Sequence, residues 1–374
     1  MSTSSRVSDR AGTGRARPDH HAARRGFAFT DAAVLLAAIA LAGALALPTL
    51  HAWRTDARLA GSRDNLRQLG QAHAAYSDAN EGFIAGFSLQ AGEEIDLYPP
   101  GTVRSRSSAL EAQQFEAAAI IRQITGRFGA RDNQIIPNLD RVPHRRYSHL
   151  PLLHWMGASA TDPLVVSPLD THQQTFQAYT EPEDYPALPG GDPDSSFGNW
   201  TDETTVEYWP YASSYQTTPY AFTPSRPDAF DVFAVEPSAD GTMFNVQAAN
   251  AFGRQLASSV RFPANKALLF EEFDYSQGLG NHGLYYADPL ASVNILAFDG
   301  SAPRIATADA NPGWDPDHFR DMEATPELRY SSIDTRYFPE DFGRPDPYPG
   351  YYKWTRGGLE GIDFGAGEIN TSDW

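Results

Sequence analysis

The feature that most limits what this chain can become is the run "FAFTDAAVLLAAIALAGALALPTL", residues 27–50, whose 24 positions hold one charged residue, Asp31. About 20 apolar residues at 1.5 Å rise each cross the hydrocarbon core of a bilayer, so the run predicts a membrane-spanning helix. It is longer than the apolar stretch of a cleaved secretory signal. Six arginines (6, 10, 15, 17, 24 and 25) precede it against Asp9 and Asp19, and the flank after it, Arg54, Asp56 and Arg58, is mixed. The excess of positive charge before the span places the N-terminus in the cytoplasm and sends everything after residue 50 across the membrane.

A carboxylate inside such a span costs roughly 2.5–3.5 kcal/mol on insertion scales, and it calls for a cation. A cut between Gly26 and Phe27 would supply one, because the new α-ammonium of Phe27 would lie one helical turn from Asp31, in the same chain or in a neighbour. "RRG" followed by "FAFTD" resembles the cleavage and methylation segment of type IV prepilins and type II secretion pseudopilins. The resemblance implies a basic leader ending in Gly26, a mature chain starting at N-methylated Phe27, an acidic fifth residue (Asp31) used in assembly, and a proline at position 22 (Pro48). The family's fifth residue is usually Glu; Asp is one methylene shorter. Two other readings fit parts of the segment: an uncleaved signal anchor with Asp31 near the interface, and a twin-arginine export signal with Arg24, Arg25 and a cut after "LHA" (50–52).

Beyond Pro48 the helical pattern continues. Leu59, Leu66, Leu69, His73 and Tyr76 recur at helical spacing, and "DANEG" (78–82) ends the stripe. The segment "GSRDNLRQLGQAHAAYSDANEGFI" (61–84) is similar to the stem of the large pseudopilin-like proteins of planctomycetes and related bacteria, with Ser62 where those proteins carry a Cys. "RFPANKALLFEEFDY", "VNILAFDGSAPRI" and "KWTRGGLEGIDFG" resemble the C-terminal pattern of the same group. Its His, ten residues before the Asp-Gly pair, is here Pro289; the nearest is His282.

In the body, Ser108 and Glu111 form a capping box for a helix ending at Gly126, and "RYSHLPLLHWMG" (146–157) is apolar enough to be buried. Residues 180–230, rich in Pro, Gly, Asp and aromatics, read as ordered loop. "KALLFEEF" (266–273) and "SVNILAF" (292–298) read as strands. The second leads into "SAPRIA" through Asp299 and Gly300, a two-residue hairpin turn requiring positive φ.

Net charge is −18 overall, and the basic leader leaves −22 to the remainder. A body this acidic is repelled by nucleic acid, which is excluded as a partner. The absence of cysteine excludes disulfides, thiolate metal sites and Cys nucleophiles. No Gly-x-Ser-x-Gly, His-Glu-x-x-His, phosphate-loop or dinucleotide motif occurs. His144, His149 and His154 lie in the only basic cluster of the body, "PHRRYSHLPLLHW", where they balance charge or meet an anionic partner. Carboxylates at 192, 194, 309, 315, 317 and 321 are hard oxygen ligands, and the resemblance to secretion pseudopilins makes calcium a candidate at Asp309, Asp315 and Asp317, though their spacing is irregular. The aromatics of "EYWPYASSYQTTPYAF" (207–222) suit sugar stacking or simple packing.

The expectation is an α+β protein: leader 1–26, transmembrane helix 27–50, amphipathic stem 51–80, and an exported body 81–374 with a small antiparallel sheet. It would be a non-enzymatic, single-pass protein of the inner (cytoplasmic) membrane. Its expected partners are a prepilin peptidase, other pilin-like subunits and the lipid bilayer, with no cofactor. The alternative is a surface-anchored carbohydrate-binding or hydrolytic protein using a prepilin-type anchor.

Overall fold

The computed structural model describes residues 29–97, 101–104, 112, 113, 116, 119, 120, 148–157, 161–177, 213–218, 221, 254–279, 282–313, 351–353 and 358–368, with short ladder segments at 236–237, 244–245, 328–329 and 347–348. The chain divides into two compact units, Met1–Trp53 and Arg54–Trp374. Helix α1, Phe29–Ala79, has 51 residues and contains Pro48. The expected transmembrane and stem helices are therefore one element, and Pro48 does not end it. Its first half is long and apolar enough to cross a membrane, and none of that apolar window is buried.

The helix stops where the "DANEG" signal stands. Glu81 and Gly82 adopt left-handed conformations at φ 56° and 85°, and the Gly82 N–H donates to the Ser77 carbonyl at 2.8 Å. That six-to-one bond closes the last turn. Of the predicted stripe, Leu66, Leu69, His73 and Tyr76 are buried and Leu59 is half-buried, while Ser62 and Ala72 join the packed face.

The main sheet is antiparallel, with order β8-β7-β4-β3. Its strands are β3 (Tyr215–Thr217), β4 (Ala267–Glu271), β7 (Ser292–Ala297) and β8 (Arg304–Ala306). Ahead of them, β1 (Glu94–Leu97) pairs with β2 (Gly101–Arg104), and β5 (Phe273–Leu279) pairs with β6 (His282–Tyr285). Every residue of β4 is buried, which explains its unbroken apolar run: both sheet faces are covered, so no polar alternation is selected. One face packs the stem residues Leu66 and Leu69 with Leu269 and Leu296 in the same core. Elsewhere in that core Phe270 meets Tyr286 and Tyr352, at ring-centroid distances of 4.9 and 5.6 Å. A bulge between Ala267 and Leu269 sets Leu268 out of register, as bulges do when they re-aim a side chain.

Several expectations are corrected. "KALLFEEF" is not one strand; pairing stops after Glu271 and resumes at Phe273. Tyr215–Thr217, inside the stretch read as loop, is an edge strand, because three successive residues satisfy their backbone against β4. The Asp299–Gly300 connection is not a two-residue turn: only Gly300 has positive φ, at 85°. The Gly300 N–H donates to Ala297 O and the Ala297 N–H to Ser301 O, a three-residue loop in which one left-handed glycine suffices. Of the helix expected over 108–126, residues 112, 113, 116, 119 and 120 are helical and the others lie outside the described residues.

Candidate functional site

Two regions are of functional interest, and only the first was read from the sequence. Gly26 and Phe27 lie outside the described residues, whereas Asp31 is the third residue of α1 and Pro48 sits inside it. Around them the helix exposes Val34, Leu36, Ile39, Leu41 and Leu47, apolar side chains that water would not leave uncovered on this scale.

The second part is the seat of the stem on the sheet. Ser62 Oγ donates to Glu271 Oε1 at 2.6 Å and lies 3.0 Å from the Tyr215 hydroxyl. Ser167 Oγ donates to the same Glu271 oxygen at 2.9 Å, and the Asn294 N–H donates to Oε2 at 2.9 Å. All five residues are buried. Register sets Tyr215 opposite Glu271 and Arg304 opposite Asn294, so one polar row crosses the sheet beneath the stem. Burial raises the Glu271 pKa, and the three donors oppose that rise. Sealed and fully bonded, the carboxyl has no access to a substrate; its geometry suits a clamp. One turn further along, Asn65 Nδ2 donates to the carbonyls of Pro163 and Val166 at 3.2 and 3.0 Å.

Two further buried acids brace the frame. Asp170 accepts from the hydroxyls of Ser214 and Tyr275 at 2.6 and 2.8 Å. Asp363 accepts from Lys266 Nζ at 3.1 Å and from the Ala267 N–H at 2.7 Å, joining the C-terminal "GIDFG" to the start of β4. Burial lowers the Lys266 pKa, with the Asp363 charge acting against it.

The remaining candidates are scattered. Asp299 accepts from the Ser301 N–H at 2.9 Å and is exposed, as is Asp309. Asp192, Asp194, Asp315, Asp317 and Asp321 lie outside the described residues. Among the described residues no three His, Asp or Glu side chains gather as a metal-binding group. His149 is buried, His154 is exposed, and His144 lies outside the described residues. Glu271, Ser167, Asp170 and Lys266 were not singled out from sequence. The usable signal was the pair of glutamates closing an apolar strand in "ALLFEE", since a carboxylate there must find donors.

The described residues thus combine one N-terminal helix long and apolar enough to span a membrane with a small antiparallel sheet that fits the α+β class. No family model, no curated protein and no solved structure matches the chain.

Proposed function

We propose that this chain is a pseudopilin-like, membrane-anchored subunit of a type II secretion or type IV pilus-like system. In this reading a prepilin peptidase cuts after Gly26 and Phe27 becomes the N-methylated first residue. The body is exported, and the protein acts by association rather than by catalysis. The observation that carries it is a register: a basic leader, then Gly26, Phe27, Asp31 as fifth residue and Pro48 as twenty-second, at the head of a helix with an uncovered apolar window. The Asp31 carboxylate would pair with the α-ammonium of Phe27 in a neighbouring subunit, offsetting the cost of burying either charge alone. Mass spectrometry of the N-terminus of membrane-extracted protein tests the reading. The expected first residue is methylated Phe27; an intact leader, or a cut after Ala52, defeats it.

A further inference from the structure

Lys266 and Asp363 are both fully buried, and Lys266 Nζ stands 3.1 Å from Asp363 Oδ1. Burying an ammonium beside a carboxylate is costly, and the cost falls if one proton crosses the hydrogen bond to leave an amine beside a carboxylic acid. Desolvation acts in that direction on Lys266, lowering its pKa against the charges of Asp363 and Glu368. An amine in direct contact with a carboxylic acid, both shut off from solvent, holds the two reactants of an amide.

The backbone fixes both groups. The Asp363 N–H donates to the Asn265 carbonyl at 2.9 Å and the Asp363 carbonyl accepts from the Asn311 N–H at 2.8 Å, while the Lys266 carbonyl accepts from the Phe298 N–H at 3.1 Å. Asn265 Nδ2 adds a bond to the Phe364 carbonyl at 3.0 Å. Contact held in this way replaces the encounter of two free groups and is worth several orders of magnitude in effective concentration. The Ala267 N–H donates to Asp363 Oδ2 at 2.7 Å, which polarises the carboxyl and stabilises negative charge gathering on that oxygen during attack. Glu368, half-buried, is a third acid, near enough for its charge to act on Lys266.

We propose that Lys266 and Asp363 condense to an intramolecular amide cross-link in the folded chain, with Glu368 relaying the proton. The proton that leaves Nζ protonates Oδ1, and the Nζ lone pair attacks Cγ, placing the negative charge on Oδ2. Glu368 then takes a proton from the nitrogen and returns it to the Oδ1 hydroxyl, which departs as water when the Cγ–Oδ1 bond breaks. One amide bond forms and one water is released. The freshly folded chain holds the ion pair, and the amide accumulates from it. The bond ties the residue before β4 to the C-terminal segment across 97 positions, in a chain whose lack of cysteine excludes disulfides. It depends neither on how the N-terminus is processed nor on the function proposed above.

The test is mass spectrometry of the detergent-solubilised full-length chain, kept folded until its composition is constant, then denatured and digested with trypsin. Cleavage after Arg261, Arg304 and Arg356 leaves Lys266 within residues 262–304 and Asp363 within residues 357–374. The expected product is a single species joining these two fragments, uncut after Lys266 and lighter than their sum by one water. Lys266→Met and Asp363→Ala should each abolish it. Because either change leaves a buried charge without its partner, Glu368→Gln supplies a variant that keeps the pair: it should retain the wild-type circular dichroism spectrum and slow the joining by at least about tenfold. Separate fragments with cleavage after Lys266 overturn the proposal, as does a water lost within 262–304 alone, the mark of an imide at Asp299–Gly300. Joining at the wild-type rate in Glu368→Gln overturns the relay, and joining in chain held unfolded in urea overturns the buried pair as its origin.

Discussion

Ser62 Oγ lies 2.6 Å from Glu271 Oε1 across 209 positions of sequence. The contact joins the N-terminal helix to the end of the central strand, and Ser167 and Asn294 complete the carboxyl's partners. Ser62 is thus a hydrogen-bond donor in the interface between helix and sheet.

Replacing Glu271 separates hydrogen bonding from charge. Glu271→Leu strands the Asn294 N–H and two hydroxyls and should lower stability by about 3 kcal/mol or more. Glu271→Gln can accept from Asn294 and donate to the rotated serine hydroxyls, so its cost should stay within about 1 kcal/mol. Urea unfolding of detergent-solubilised protein checks both; equal losses would mean that the ionised form holds the seat.

The Lys266–Asp363 pair is fully buried on both sides. Removing one member leaves an uncompensated charge, so Asp363→Leu should cost about 3–5 kcal/mol, while the double change Lys266→Met, Asp363→Leu should recover most of that loss. A double-mutant cycle by thermal denaturation measures the recovery, and strictly additive losses would show that the two groups do not interact.

Gly70 is a test of helix-to-sheet closeness. A Cβ there would stand 2.9 Å from Leu296 Cδ1 and 3.4 Å from Cδ2, and Leu296 is fully buried. Gly70→Ala gains up to about 1 kcal/mol in helix propensity, yet overpacking costs about 1–3 kcal/mol. Net destabilisation is expected; a rise in melting temperature would place the stem further from the sheet.

Protonation of His73 should register in the pH dependence of stability. Its pKa falls from 6.5 to about 4 on folding, so the unfolded chain binds the proton more readily. The neutral ring therefore contributes fully above pH 6.5, and that contribution is lost as pH falls towards 4, by about 3 kcal/mol in all. Glu271 and Glu116, whose pKa values burial raises, give slopes of the other sign. The comparison with His73→Leu isolates the histidine: the stability of wild type relative to that variant should fall between pH 7 and pH 4.5, and a constant difference would contradict the burial.

The proposed function predicts that Gly26→Leu blocks processing while leaving insertion intact, because a prepilin peptidase would have to approach the scissile backbone closely. The same proposal predicts that Asp31→Ala is cut normally, inserts at least as well as wild type, and fails to co-assemble, because it would lack one half of the proposed charge pair in low dielectric. Asp31→Glu should preserve or improve assembly. Cross-linking in membranes reads the outcome, and equal association of wild type and Asp31→Ala would return Asp31 to a plain anchor.

The local grammar of the chain was legible without a structure. The apolar length of 27–50, the stripe Leu59, Leu66, Leu69, His73 and Tyr76 in all but its first member, the stop at "DANEG" and the strand core "ALLF" and "SVNILA" rest on periodicity and turn chemistry, which act over a few residues. The details that failed were also local but were settled by distant partners. "KALLFEEF" breaks at Glu272, whose N–H donates to the Ser214 carbonyl, and Tyr215–Thr217 becomes a strand because β4 offers it a free edge.

The tertiary structure alone decided which polar residues meet. Ser62, Ser167, Tyr215, Glu271 and Asn294 span more than 200 positions, and no spacing rule links them; only the sheet register and the seating of the helix bring three donors to one carboxylate. The same holds for His73, which sequence placed on the packed face without showing that both its ring nitrogens are buried with no hydrogen-bond partner among the described residues. Sequence encodes which surfaces must leave water, because hydrophobicity is a property of each side chain. The pairing of buried polar groups is a property of positions in space, and folding determines it.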